Sequence, residues 1–184
     1  MTDRICAPEE ILGFWFEELT PEQWFKPTPA LDAQCERRFA ATHLHVARGV
    51  PDSWRGTPDR HLATIILLDQ LPRNIYRGTA LAFATDGLAL AEARALVKTG
   101  DHLAIAADRR AFAYLPFEHS ENLNDQETAV ALFSELGTPL YLDYAIRHAE
   151  VIRAFGRFPH RNAVLGRTST DAEIAYLAQP GAGF

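Results

Sequence analysis

The chain has 184 residues, 47% of them apolar and 23% charged, and a formal net charge of −6. A chain of this size buries about 70% of its unfolded surface, enough for a core of its own. With 11 Gly, 11 Pro and two Cys, global disorder, collagen-like repeats and disulfide scaffolds are excluded, and the acidic balance argues against a nucleic-acid partner.

Helix signals follow one another along the chain. Pro8, Glu9 and Glu10 open a first helix over Ile11, Leu12, Phe14, Trp15 and Phe16, because proline and acids suit a first turn. Pro29 starts a second, which Gly49 would close with a left-handed cap. Thr57 caps a third, with Pro58 at its first position. Its run of Leu62, Ile65, Ile66, Leu67 and Leu68 is apolar on all sides, so this helix is expected at the centre of the core.

Thr85 or Asp86 begins a fourth helix that ends near Gly100, and a fifth is expected over 103–114, stopped by Pro116. Asn124 and Glu127 resemble a capping box for a sixth, which closes at Leu136 and Gly137. Pro139 starts a seventh that runs to about Phe155 and Gly156, and Thr170 with Glu173 boxes a short last helix.

No segment alternates as a strand would. Neither a linker nor a repeat at the tetratricopeptide period of roughly 34 residues is visible. The expected fold is all-α: one domain over 1–184, with about eight helices.

No apolar run is long enough to span a membrane. The segment Met1–Cys6 has no apolar stretch of the signal-peptide kind, and Cys6 and Cys35 form no CxxC pair; a reduced, cytoplasmic protein is expected. Motifs of P-loop, Rossmann, zincin and α/β-hydrolase chemistry are absent, and no cofactor is expected.

Four segments could carry chemistry. The first, Asp69, Gln70, Arg73 and Asn74, sits where the most apolar helix leaves the core. A buried carboxylate there needs a partner. The segment reads either as an Asp–Arg brace or as the wall of a ligand pocket. The second joins Glu118, His119 and Glu121 in a loop between helices: a general base with an orienting acid, a metal ligand, or a helix cap.

The third is His148. It lies on one helix face with Tyr141, Ala145, Ile152 and Phe155, and therefore points inward, as a core histidine or as a site residue. The fourth gathers Arg157, His160, Arg161 and Arg167 without an acid, which suits either an anion site or internal pairing.

The strings LLDQLPRNIYRG, YLPFEHSEN, FGRFPHRN and LGRTST, with the early FWF, resemble the bacterial family called domain of unknown function 924, from Ile11 to about Leu177. The resemblance implies a tetratricopeptide-like α-α superhelix and assigns no activity.

Three functional readings follow. In the first, a small anionic molecule binds between helices, with His119, His148 and Glu121 doing acid–base chemistry. Asp69, Gln70, Arg73, Asn74, Arg157, His160 and Arg161 would contact it, without a metal. In the second, the helices present a groove to a protein or peptide, with Trp24, Phe25 and Trp54 as contacts. In the third, the polar residues only fix the fold. Neither a nucleic acid nor a membrane is an expected partner. Two contacts are expected: Asp69, at its buried helix end, with Arg157 or Arg161, and His119 with His148 at one polar cavity.

Overall fold

The structure, a computed structural model, describes residues 4–183. Among them every regular element is helical and no strand forms. Helix α1 (Pro8–Gly13) runs straight into a wider π-turn, Phe14–Glu18, closed by Leu19 N–H donating to Phe14 O at 3.2 Å. A short α2 (Pro21–Phe25) follows, with Gln23 Oε1 reaching back to the Thr20 N–H at 2.8 Å. That capping box has the pattern found at Thr170, yet the sequence reading passed over it.

Helix α3 (Pro29–Arg48) starts at Thr28, whose hydroxyl accepts from Leu31 N–H. Gly49 ends it, but with φ of 172° it is extended and not the left-handed cap expected. Helix α4 (Pro58–Asp69) is capped by Thr57 as expected. Leu71–Ile75 forms a single helical turn, α5. Helix α6 (Asp86–Thr99) matches its expected span.

The fifth expected helix is displaced. Asp101–Ala104 is a 3₁₀ turn, and α7 runs Ala107–Glu118 with Pro116 inside it. Proline is tolerated there because it sits in the last turn, where only the Phe112 carbonyl loses its i+4 partner. Helix α8 (Leu123–Leu136) is capped by Asn122, whose Oδ1 accepts from Asn124 N–H at 2.9 Å, and not by Asn124. Helices α9 (Pro139–Phe155) and α10 (Asp171–Leu177) fall where expected.

The chain packs as two compact units, one of Met1–Arg77 and Leu81–Pro116, the other of Gly78–Ala80 and Phe117–Phe184. In the first, α4 is central: every residue from His61 to Asp69 is buried, and α1, α3, α5 and α6 pack on it. Trp54, expected as an exposed contact, is buried at 5% exposure in the 3₁₀ turn before α4. In the second, Gly137 turns α8 back against α9. Val151, Ile152 and Phe158 form a small core there, with Phe155 and Tyr176 against it. Gly156 stops α9 at φ +70°, a conformation that glycine adopts without a Cβ clash.

Candidate functional site

The site of the second unit is built on the turn between α7 and α8. Three successive carbonyls of that turn are tied by side chains from elsewhere. Gln126 Nε2, on α8 and fully buried, donates to Glu118 O and Ser120 O at 2.6 Å each. Arg161 Nη1, on the 3₁₀ turn Pro159–Arg161, donates to His119 O at 3.1 Å. A loop with its carbonyls so held keeps Glu118 and His119 in fixed positions. Gln126 was missed by the sequence reading, which saw only the cap and the acids around it.

His148 lies on α9, buried at 5% exposure. Its Nδ1 is 2.8 Å from Tyr144 O and 3.3 Å from Glu118 Oε1. Both partners are acceptors, so Nδ1 carries the proton and Nε2 keeps the lone pair. Burial pushes this imidazole down to about 3, against the Tyr144 bond, and the charges of His119, Arg161 and His160 push the same way.

Phe158 organises the group. The His148 ring meets it edge-on at 5.5 Å, the His160 ring lies 5.6 Å away, and the Arg161 guanidinium sits 4.5 Å over its face. The structure thus brings His119, His148, His160, Arg161 and Glu118 into one neighbourhood. Tyr141 belongs to it as well: its hydroxyl pKa is raised by burial and by the Glu118 charge.

Two predicted members serve as braces. The Glu121 carboxylate accepts from Arg167 Nη1 at 2.7 Å, from Arg167 Nη2 at 3.0 Å and from the Phe158 amide at 2.8 Å. Burial raises its pKa, but these bonds outweigh burial and hold it below the usual carboxylate range. It therefore orients the Phe158 backbone and not a histidine; Glu118 is the acid that meets His148. Arg157 places its fork on Glu173 at 2.6 and 2.8 Å and donates to Thr168 O at 2.9 Å. That pairing fixes α10.

In the first unit, Asp69 is fully buried and does meet an arginine, that of its own segment. Gln70 Nε2 donates to Asp69 Oδ2 at 2.5 Å, and Arg73 Nη2 lies 3.5 Å from Asp69 Oδ1. Arg73 also donates twice to Asp86, at 3.0 and 3.2 Å. Asn74 donates to Asp32 at 2.8 Å, beside the Arg77–Asp32 pair. The donors of Arg73 and Asn74 thus close internal bonds within this unit.

The same unit holds two polar clusters that the sequence did not disclose. Glu92 accepts from His61 at 2.9 Å and from Arg55 at 2.7 and 2.5 Å. These bonds overcome its burial and bring its pKa down to about 2. His43 bridges the hydroxyls of Tyr76 and Thr85 at 3.2 and 3.1 Å, and burial lowers it to about 4. Their members come from separate helices, so no spacing in the sequence announces them.

Among the described residues, no group of three or more His, Cys, Asp or Glu side chains is placed to hold a metal ion, and no helix is long and apolar enough to cross a membrane. Two open clefts of about 380 and 410 Å³ in the second unit share Phe155; Arg147 and Tyr176 line the first, Arg157 and Glu173 the second.

The model of a bacterial protein family of unknown function, domain of unknown function 924, matches residues 11–181. The chain belongs to this family. It is similar to a solved structure from Agrobacterium tumefaciens, titled a protein of unknown function, ATU0120, with 40% identity and a TM-score of 0.88 over 93% of this chain and 96% of that one. No match was found among curated proteins. The helical architecture is therefore that of this similar solved structure.

Proposed function

We propose that the second unit binds a small molecule through an anionic group, a carboxylate or a phosphate, and that His148 and His119 exchange protons with it. The reading is carried by one observation: a buried imidazole backed by a carboxylate, His148 on Glu118, shares the Phe158 ring with His160 and Arg161 and feels the charge of His119. Guanidinium and imidazolium groups suit a carboxylate or phosphate. A histidine whose Nδ1 is fixed by acceptors offers Nε2 as a base, and the carboxylate behind it steadies the imidazolium that forms.

Electrostatics supports the pairing of anion and base. Burial and the surrounding cations keep His148 neutral. An anion docked beside Arg161 and His160 would offset those cations and raise the basicity of His148 at the moment of binding. Binding would then take up a proton, so affinity should strengthen as pH falls towards the free value of about 3.

The test is native mass spectrometry on protein purified without denaturation. The expected result is a bound small anion that is lost in His160→Gln while the fold, read by circular dichroism, is retained. A chain that carries the same bound mass with and without His160 would contradict the reading.

A further inference from the structure

The chain that follows α10 runs back over the imidazole site. Gln179–Gly183 turns tightly, with Ala182 N–H donating to Gln179 O at 3.2 Å. Both its glycines have positive φ, +76° at Gly181 and +83° at Gly183. This conformation disfavours any other residue and lets the backbone lie close to what it covers.

At Gly183 what it covers is His160. A Cβ on this residue would stand 3.1 Å from His160 Cβ, 3.6 Å from Cγ and 3.9 Å from Nδ1. At Gly181 the neighbour is Arg147, whose Nη2 would lie 3.9 Å from such a Cβ. Ala182 and Gly183 are half-buried, whereas Ala178–Gly181 are exposed. The segment thus presses on the site with its last two described residues and otherwise faces solvent.

The strap is lightly held. Among the described residues its backbone bonds are local: Ala178 N–H to Ile174 O, Gln179 N–H to Tyr176 O and Ala182 N–H to Gln179 O. Among the described residues, no helix includes 179–183. Segments with few buried contacts and local bonds open at low free-energy cost, well below global unfolding.

We propose that Gln179–Gly183 is a closing strap over the imidazole site, and that it must lift from His160 for a ligand to enter or leave. This rests on the anion-binding reading for its purpose. The cover over His160 stands on geometry alone. Because Gly183 lies against His160 at its Cβ and the Cγ–Nδ1 edge of the ring, the strap shields that imidazole on one side, and Phe158 flanks it as well. A segment that excludes water from a charged pocket also strengthens every electrostatic contact inside it.

Three proteins test this: the full chain, the chain ending at Ala178, and Gly183→Val, whose branched side chain cannot fit against His160. Each is treated with diethyl pyrocarbonate, and modification is measured at individual histidines by peptide mass spectrometry, with and without inorganic phosphate. Buried His43, in the first unit, reports whether the fold is intact. The expected result is a rise of about tenfold in the His160 rate in both altered chains, with His43 unchanged. Equal His160 rates in all three overturn the strap. If the His160 rate rises and phosphate slows it, cover and anion site both hold. If it rises and phosphate has no effect, the strap stands as a cover and the anion reading falls.

Discussion

Replacing Phe112 with alanine should destabilise the protein by about 3–5 kcal/mol, the usual cost of emptying a buried aromatic site. Phe112 is fully buried on α7, and three aromatic side chains meet its ring edge-on: Trp24 at 5.0 Å, Phe16 at 5.4 Å and Trp15 at 5.7 Å. Edge-to-face pairs add about 0.5–1.5 kcal/mol each beyond area burial. The ring also closes the packing of the π-turn, where Trp24 Nε1 donates to Trp15 O at 2.8 Å. The collapse cannot be confined to one element, because the π-turn and α2 both lean on one side chain.

Urea unfolding followed by tryptophan fluorescence reads this directly, since Trp15 and Trp24 border the deleted ring. Phe25→Ala is the control: that ring is 57% exposed, and its loss should cost under about 0.5 kcal/mol. Equal midpoints for the two variants would contradict the packing described.

Acid should weaken the fold well before carboxylates titrate. His43 sits at about 4 and His148 at about 3, both because burial disfavours the charged ring. Their folded values lie below the unfolded value of about 6.5. The stability they contribute is therefore whole above pH 6.5 and is lost as pH falls towards their folded values. Near pH 5 the unfolded chain holds both protons and the folded chain neither, a slope of about 2.7 kcal/mol per pH unit from this pair.

Glu92, held at about 2 by Arg55 and His61 despite its burial, adds loss of the same sign below pH 4.5. Urea unfolding at pH 7, 6 and 5 measures the slope, and His43→Gln should lower it by about one proton. A slope unchanged by that substitution would show that His43 is charged in the folded protein.

Local signals carried most of the helical architecture. Prolines at first helical positions and the glycines after α6, α8 and α9 marked boundaries within a residue or two, because caps are local physics. The errors arose where tertiary packing overrode local preference. Pro116 stays inside α7 because the helix end is held by Gln126, eight residues on along the chain but with its Nε2 2.6 Å from Glu118 O. The π-turn at Phe14–Glu18 has no sequence mark of its own; it turns Trp15 into the core beside Phe112.

The site was legible as residue types and not as pairings. His148 pointed inward as its helical face required, and the arginine-rich segment did reach the Glu118–Ser120 turn. Which acid met which base was unreadable. Glu118 and Glu121 are three residues apart, yet one meets His148 and the other Arg167. Arg157 and Arg161 likewise part company, to Glu173 and to His119 O. Choices of this kind depend on where backbones cross, and charge patterning alone cannot make them.

Binding of an anion beside Arg161 and His160 should make His148 basic. Its most direct test is the pH titration of histidine side-chain nitrogens by NMR, in the full chain, with and without inorganic phosphate. The account predicts that His148 holds its proton on Nδ1 and stays neutral near pH 5 without phosphate, and that phosphate moves its titration upward while His43 is unmoved. A His148 that titrates near 6.5, one indifferent to phosphate, or one that phosphate moves no more than it moves His43, would contradict it.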